Sequence, residues 1–353
     1  MTFTLYVDEA RWRAHLAATV ATTPDIVPVI KGNGYGLGNT RLAAEAALLG
    51  VDTVAVGTVD ELPSVQDAFP GDVLVLTPSY PRPFDDPTGR VVQTVAHVGS
   101  VLAAGAARVV VEAMTSMHRH GLGDADVPVL AEVAAGLQLD GLAFHLPMDR
   151  HGGYDPGVEV ADWLRRLAAA GVPTSVAFVS HLTALDLSGL RRDFPGTTFR
   201  PRIGTSLWLG DRGALQARGT VLDVHRLARG THYGYRRRRA PRDSHLVVVS
   251  GGTAHGVALE APRTVRGPVG RSKAIAVGTL AAANLSLSPF RWAGKQRWFA
   301  EPPHMHVSLL LLPASVEPPA IGTELDCDVR LTTLHPDAVA PLPAPPPSPA
   351  STT

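Results

Sequence analysis

A lysine ends an apolar run in the segment VIKGNGYGLG, residues 29–38. The chain has 32 lysines and arginines among its 353 residues, and only Lys31, Lys273 and Lys295 are lysines. Arginine stays protonated in proteins, whereas a lysine amine can lose its proton and attack a carbonyl carbon. Lys31 is therefore either a candidate Schiff-base lysine or a surface lysine at the end of a strand.

Further polar residues follow other apolar runs along the chain. They are Glu112, Arg119, His145, Ser180, His181, Thr183, Arg202, Gly204 and Thr205. Each residue alone is explained by an exposed loop charge, a satisfied histidine or a turn. If the runs are neighbouring parallel strands, however, these residues together form a polar ring at one end of the sheet.

The elements that would position this ring repeat one theme. Eight short, nearly continuous apolar runs alternate with alanine-rich segments that have apolar residues at helical spacing, which is typical of parallel strands buried on both faces. The predicted strands are 26–31, 53–58, 73–78, 91–96, 108–113, 139–146, 175–180 and 198–204. The fourth strand is the weakest, because the connection before it, residues 79–90, is rich in proline rather than helical.

This alternation predicts an α/β fold, a (β/α)8 TIM-like barrel, over residues 1–212. A doubly wound open sheet is the alternative. Beyond residue 212 the runs are strand-like and separated by turn residues, so residues 213–336 are predicted to form a smaller all-β domain. Residues 337–353 are rich in proline, alanine and serine and are predicted to be a disordered tail.

The composition excludes several classes of protein. The formal net charge is zero, so nothing electrostatic indicates a nucleic-acid or membrane partner. The amino terminus has acidic residues where a signal peptide needs an apolar run, and no apolar stretch approaches the ~20 residues that span a bilayer. The single cysteine, Cys327, allows no internal disulfide. A cytoplasmic location is predicted.

The segment VIKGNGYGLG resembles the cofactor-lysine motif of the alanine racemase family, in which a strand ends in Lys-x-Asn-x-Tyr-Gly. The segment GVDTVAVGTVDE, residues 50–61, resembles the next block of that family. The resemblance implies a barrel that binds pyridoxal 5′-phosphate (PLP), followed by a β domain. It also implies a homodimer in which the partner's β domain completes each site, and a small amino-acid substrate.

The resemblance assigns roles to several residues of the predicted ring. Lys31 would hold PLP, and Tyr35 would donate its hydroxyl to the cofactor phosphate. Arg119 would contact the phenolic oxygen of the cofactor and lie near the substrate carboxylate. His145 matches the histidine beside the arginine at the pyridine ring, and that arginine would be Arg202.

Other matches concern the phosphate and the anion beside Arg119. The backbone N–H groups of Gly204 and Thr205 would bind the phosphate, and Thr183 or Ser180 would replace a phosphate-binding serine of the family. Glu112 matches a lysine that the family often carbamylates, and its carboxylate would brace Arg119. Arg200 is an alternative to Arg202 for the pyridine contact.

The segment VSGGTAHGVA departs from the family at its second acid/base. Thr253 takes the place of a tyrosine and His255 the place of an aspartate. A threonine hydroxyl is too weak an acid at neutral pH to carry protons as a tyrosine does. The sequence therefore predicts slow, unequal handling of the two enantiomers, unless a histidine at 255, 304 or 306 serves as the second base.

The predicted activity is a PLP-dependent amino-acid racemase or epimerase. Alternatives are another PLP-dependent reaction on a D-amino acid, of the aldolase or dehydratase type, and a non-catalytic PLP-binding protein. His304 and His306 are two residues apart, so on a strand they would point the same way and could bind a metal. No carboxylate or cysteine stands beside this pair as an obvious third ligand, and no metal is predicted.

Overall fold

The computed structural model describes residues 2–259, 267–282 and 285–343. The chain forms two compact units. The barrel unit contains residues 14–34 and 38–210, and the β unit contains the described residues of 1–13, 35–37 and 211–353. The chain begins with strand β1 (Phe3–Val7) and helix α1 (Glu9–Thr22).

Eight parallel strands form a closed barrel in the order of the chain. They are β2 (Val27–Ile30), β3 (Thr53–Val56), β4 (Asp72–Val75), β5 (Val91–Val95), β6 (Arg108–Ala113), β7 (Gln138–Phe144), β8 (Val176–Val179) and β9 (Thr198–Ile203). The barrel closes where β2 pairs with β9, with Val27 opposite Arg202. The predicted (β/α)8 fold is confirmed, and the fourth strand is present as β5.

The barrel interior is filled by alanine and branched aliphatic side chains together with one phenylalanine. This inner cluster consists of Val27, Val29, Ala55, Leu74, Val92, Val110, Ala143 and Phe178. A second cluster lies between the outer faces of the strands and the helices, and it includes Phe144, Trp163 and Phe199. Burial on both faces explains why the strands read as continuous apolar runs rather than alternating ones.

The helices that follow the strands have local reasons to begin where they do. They are α2 (Asn39–Leu48), α3 (Leu62–Gln66), α4 (Val98–Leu102), α5 (Val127–Val133), α6 (Pro156–Ala169), α7 (Ala184–Asp193) and α8 (Thr205–Trp208). Helix α6 is capped by Asp155, whose carboxylate accepts the N–H groups of Gly157 and Val158, and Pro156 occupies its first position. Among the described residues, no helix combines the length and apolar character needed to cross a bilayer.

The β unit is built mainly from antiparallel strands. They are β10 (Leu215–Leu227), β11 (His232–Tyr233), β12 (Arg238–Arg239), β13 (Ser244–Ser250), β14 (Leu287–Trp292), β15 (Lys295–Phe299), β16 (Val307–Pro313), β17 (Glu324–Cys327) and β18 (Ala338–Pro341). The main sheet has the order β13-β16-β15-β14-β17-β10-β1-β18. Because β13 also pairs with β10, six of these strands form a closed ring of pairings.

Three features of the β unit differ from the sequence prediction. Strand β1 pairs with β10 and β18, so the first residues belong to this unit and not to the predicted barrel domain of residues 1–212. Helix α9 (Gly267–Ala282) lies where no helix was predicted, since glycine and β-branched residues lower its helix propensity. Residues 338–341 of the predicted disordered tail form β18 because β1 supplies a pairing partner; residues 344–353 lie outside the described residues.

Candidate active site

Lys31 is the first residue after β2, at the carboxyl-terminal ends of the barrel strands, which we call the mouth. All four residues of β2 are buried, whereas Lys31 is exposed. The indole N–H of Trp208 donates to the carbonyl of Val29 over 2.8 Å and holds the end of β2. The apolar strand therefore anchors a lysine whose side chain is open to a ligand.

Glu61 ties the backbone just after Lys31 to the loop that follows β3. Its carboxylate accepts the N–H of Gly32 over 2.5 Å, and the N–H groups of Gly57 and Thr58 over 2.6 and 3.2 Å. A Cβ at Gly57 would lie 3.2 Å from the Lys31 Cβ and 3.1 Å from a Glu61 oxygen, which is tighter than ordinary contact. The loop after β3 thus carries a glycine and a carboxylate that set the position of Lys31.

The ammonium group of Lys31 has a lowered pKa. The main cause is burial by the surrounding mouth, which favours the neutral amine although part of the side chain meets solvent. The positive charges of Arg119 and Arg202 lower this pKa further, and the nearby Glu61 carboxylate opposes them. A larger neutral fraction makes Lys31 a better nucleophile toward an aldehyde.

A buried pair of opposite charges, Glu112 on β6 and Arg202 on β9, lies in the wall of the mouth. Glu112 is 1% exposed and Arg202 is 9% exposed. Burial raises the pKa of Glu112 and lowers that of Arg202, while each charge favours the ionised form of the other. Arg202 Nη2 donates to the carbonyl of Phe144 over 3.0 Å, but its buried Nε–H has no hydrogen-bond partner.

Arg200, the alternative to Arg202 for the pyridine contact, has partners away from the mouth. Its guanidinium pairs with Asp52, which precedes β3 and so lies at the opposite end of the barrel from the mouth, and it lies over the ring of Phe178. Arg202 is therefore the arginine of β9 that belongs to the group around Lys31.

Arg119 lies in the loop that follows β6 and is exposed. This loop folds back on the strand, since Leu122 donates to the carbonyl of Glu112 over 2.8 Å and Gly121 has no room for a Cβ beside Ala113. The positive charge of Arg202 lowers the pKa of Glu112 more than the charge of Arg119 does. Within the described structure Glu112 and Arg119 form no direct ion pair, so no contact supports the predicted bracing of Arg119, which stays a prediction.

His145 and His181 face each other after β7 and β8, with ring centroids 5.7 Å apart. His145 Nδ1 lies 3.2 Å from Ser180 Oγ, and that same oxygen accepts the N–H of Leu146 over 3.1 Å. Burial, followed by the charges of Arg202 and Arg119, lowers the pKa of His145 to about 3. His145 is therefore neutral at physiological pH and can donate or accept a hydrogen bond without adding charge.

Three predicted phosphate ligands lie in loops after β8 and β9. Thr183 caps α7: its hydroxyl accepts the N–H of Asp186 over 3.2 Å and donates to that carboxylate over 2.7 Å. Gly204 and Thr205 begin α8, whose first N–H groups have no partner inside the helix. The hydroxyl of Thr183 is thus engaged within the protein, whereas the start of α8 offers backbone donors.

Tyr35 is buried and has a left-handed backbone, with φ 57°, in the short segment 35–37 that groups with the β unit. His118 and His181, in loops of the mouth, also have positive φ angles of 50° and 57°. Non-glycine residues in this region are uncommon and concentrate at functional sites.

In the β unit, the three predicted histidines have different surroundings. His255 is buried, its Nδ1 accepts the N–H of Gly252 over 3.1 Å, and its Nε2 lies 3.1 Å from an oxygen of Asp337. His304 Nε2 lies 2.7 Å from the buried carboxylate of Glu301, while His306 is exposed. Thr253 donates its N–H to the carbonyl of His304 over 2.9 Å. Among the described residues there is no group of three or more histidine, cysteine or acidic side chains that could hold a metal.

The sequence did not identify Glu61, Trp208 or Glu301 as parts of a site. The signal for Glu61 was an acidic residue four positions after the glycine that follows β3. Glu301 stands between β15 and two prolines, where an acidic residue ordinarily meets solvent.

The mouth fits PLP. A nucleophilic amine, a buried guanidinium with an unpartnered Nε–H and a neutral imidazole match an aldehyde cofactor that carries a ring nitrogen and a phosphate. The model of the alanine racemase N-terminal domain matches residues 7–155. None of the curated proteins compared with the chain is similar to it in sequence.

Solved alanine racemases share the fold at low identity. The enzyme from Bartonella henselae, with covalently bound pyridoxal phosphate, is 16% identical with a TM-score of 0.70; the match covers 96% of this chain and 99% of that one. The enzyme from Streptomyces lavendulae is 18% identical with a TM-score of 0.66, and 98% of each chain is covered. The chain thus matches the alanine racemase N-terminal domain over residues 7–155 and shares the fold of solved alanine racemases over nearly its whole length.

Proposed function

We propose that this protein is a PLP-dependent isomerase that racemises or epimerises a small amino acid. The observation that carries the proposal is the amine of Lys31, whose pKa is lowered at the mouth of a barrel with the alanine racemase fold. A lysine that is neutral for part of the time is suited to bind an aldehyde covalently.

The residues of the mouth would hold the cofactor by its different parts. Lys31 would bind its aldehyde carbon, and Arg202 would direct a guanidinium N–H to the ring nitrogen. Arg119 would contact the phenolic oxygen and the substrate carboxylate. Because arginine stays protonated, it leaves the ring nitrogen unprotonated and weakens the ring as an electron sink. This moderates the stabilisation of the carbanion and favours return of the proton.

The phosphate would be bound by Tyr35, Thr183, Gly204 and Thr205. The backbone N–H groups at the start of α8 supply donors without a charged side chain. The hydroxyl of Thr183 donates to the carboxylate of Asp186, so it would have to release that hydrogen bond to donate to the phosphate.

Proton transfer would depend first on the amine of Lys31. When bound, PLP supplies an electron sink for the pair that remains on Cα. Lys31 Nζ would hold the Cα proton for one enantiomer. His145 is neutral and would keep its hydrogen bonds without competing for that proton. Thr253 stands where the family has its second acid/base, and its hydroxyl is a poor proton carrier. We further propose that the enzyme is a cytoplasmic homodimer.

The test is to add PLP and a panel of D- and L-amino acids in D2O, and to follow Cα–H exchange by NMR. Lys31→Ala should abolish exchange, whereas Lys295→Ala, at an exposed lysine on β15, should not. PLP binding without exchange of any amino acid would instead indicate a non-catalytic PLP-binding protein. Cleavage of the Cα–Cβ bond with release of an aldehyde, or loss of a β-hydroxyl, without inversion would indicate an aldolase or dehydratase type of reaction.

A further inference from the structure

The loop that follows β6, residues 114–122, carries Arg119 and is closed at its base. The N–H of Met114 donates to the carbonyl of Leu122 over 2.9 Å, and the N–H of Leu122 donates to that of Glu112 over 2.8 Å. We call this segment the Arg119 loop. Because backbone hydrogen bonds fix its base, the direction of its tip depends on what the residues between the two ends contact.

The first half of the Arg119 loop folds into a turn around Thr115. The hydroxyl of Thr115 is buried, donates to the carbonyl of His145 and accepts the N–H of Met117 over 3.4 Å. The N–H of His118 donates to the carbonyl of Thr115 over 2.9 Å, and His118 has a left-handed backbone with φ 50°. Such a backbone is unfavourable for a residue other than glycine, so surrounding contacts must stabilise it.

Glu159, in the first turn of α6, contacts this turn from outside the loop. One of its carboxylate oxygens accepts the N–H of Ser116 over 2.6 Å, and the other accepts the Ser116 hydroxyl over 2.9 Å. That second oxygen also accepts the hydroxyl of Tyr154 over 2.6 Å. Burial and this hydrogen bond raise the pKa of Tyr154, so the phenol keeps its hydrogen and remains a donor. Both oxygens of Glu159 thus bind groups of the loops that follow β6 and β7.

The helix dipole is the ordinary explanation of an acidic residue in the first turn of a helix. The start of α6 is already capped by Asp155, whose carboxylate accepts two of its N–H groups. A carboxylate that serves only the dipole can point to solvent, whereas Glu159 is half-buried and accepts three hydrogen bonds from residues outside the helix. The side chain therefore joins α6 to the Arg119 loop, 43 residues earlier in the chain.

We infer that Glu159 is a positioning residue, which holds the Arg119 loop so that the guanidinium of Arg119 faces the substrate carboxylate. The inference rests on the proposed function, which gives Arg119 that contact. Ser116 lies three residues before Arg119 on a short loop, so losing the two hydrogen bonds at Ser116 releases the part of the loop that leads to the guanidinium. Glu159 acts on the loop at Ser116, so it sets the direction of Arg119 rather than its charge.

This role predicts which kinetic constant changes. The substrate carboxylate keeps its charge while the Cα proton moves, so Arg119 binds it equally well in the ground state and in the transition state. Losing such uniform binding raises KM and leaves kcat nearly unchanged. Because a misplacement of about 1 Å can cost roughly 10²-fold, Glu159→Gln should raise KM by roughly 10–100-fold.

The first measurement needs neither PLP nor turnover. Hydrogen exchange of the PLP-free protein, followed by mass spectrometry, should be roughly 10-fold faster in residues 115–121 of Glu159→Gln than of the parent, because the amide nitrogen of glutamine cannot accept a hydroxyl. Glu132→Gln, at an exposed residue of α5, is the control and should match the parent. Unchanged exchange in Glu159→Gln overturns the inference and leaves the proposed function intact.

The second measurement asks whether Glu159 acts through Arg119. KM and kcat for D- and L-alanine, and the affinity for PLP, are measured for the parent, Glu159→Gln, Arg119→Ala and the double variant. Glu159→Gln should raise KM in the parent, leave PLP affinity unchanged, and add nothing to KM once residue 119 is alanine.

The other outcomes of this cycle contradict the inference. An unchanged KM in Glu159→Gln, or an equal rise in both backgrounds, shows that Glu159 does not act through Arg119. A fall in kcat together with PLP affinity shows a general structural role. Each of these overturns the inference and leaves the proposed function intact. A parent that acts on no amino acid of the panel overturns the proposed function and the inference with it, whatever hydrogen exchange shows of the loop.

Discussion

The buried charges of Glu112 and Arg202 should depend on each other, so removing either one should destabilise the barrel unit. Both side chains are at least nine-tenths buried, and each favours the ionised form of the other. Removing one charge leaves the other buried without compensation; because Glu112 and Arg202 form no direct ion pair, the cost should be below the roughly 3–5 kcal/mol of a broken buried ion pair, on the order of 1–3 kcal/mol. Glu112→Gln keeps the shape of the side chain and removes its charge, so we expect a loss of free energy of unfolding of this order.

A double-mutant cycle separates the energy of interaction between Glu112 and Arg202 from the contribution that each side chain makes alone. Arg202→Met removes the cation at similar length, and the double variant should be more stable than the sum of the single losses allows, with a coupling of about 1–3 kcal/mol. Urea unfolding of the PLP-free protein, followed by circular dichroism, measures all four states. The exposed pair Asp162–Arg165 is the control, with a coupling under about 1 kcal/mol. Strictly additive losses at Glu112 and Arg202 would refute the reasoning.

Three further predictions concern the surroundings of Lys31. Glu61→Gln removes a nearby anion that raises the pKa of Lys31, so acylation of Lys31 should reach its half-maximal rate at lower pH, while Asp60→Asn, at an exposed neighbour, should not shift it. Gly57→Ala should weaken PLP binding, measured by absorbance titration, because its Cβ would lie 3.2 Å from the Lys31 Cβ. In the folded protein the pKa of His145 is about 3, against 6.5 in its ordinary state. The unfolded chain therefore binds a proton at this residue more readily below pH 6.5, and the free energy of unfolding falls as the pH falls toward 3. His145→Gln should lose less free energy of unfolding than the parent between about pH 7 and 4, measured by urea unfolding. An unchanged acylation profile, unchanged PLP affinity or an unchanged acid limb would contradict the respective assignment.

The barrel could be predicted from the sequence because its signals are local. Each strand is a short apolar run buried on both faces, and each alternates with a helical segment. The strand pairing of the β unit was harder to predict because it joins residues that are distant in sequence. Strand β1 pairs with β18, more than 300 residues later, and no local sequence pattern indicates such a partner. Helix α9 was missed because its glycines and β-branched residues lower its helix propensity.

The candidate site was predicted in its residue types more than in its contacts. Arg200 and Arg202 are two residues apart on one strand and share a face, so their pattern alone could not decide between them. The structure separates them because Arg200 pairs with Asp52 and Arg202 lies with Glu112. Glu61 was missed because its function is to accept backbone N–H groups, and a single acidic residue in a loop gives no sign of that.

The central claim is that Lys31 binds PLP covalently, and peptide mapping after reduction tests it most directly. The protein would be incubated with PLP, treated with borohydride, digested and analysed by mass spectrometry. The account predicts that the reduced cofactor is fixed to the peptide that contains Lys31 and is absent from Lys31→Ala. Cofactor fixed to Lys273 or Lys295, or none fixed at all, would contradict the account.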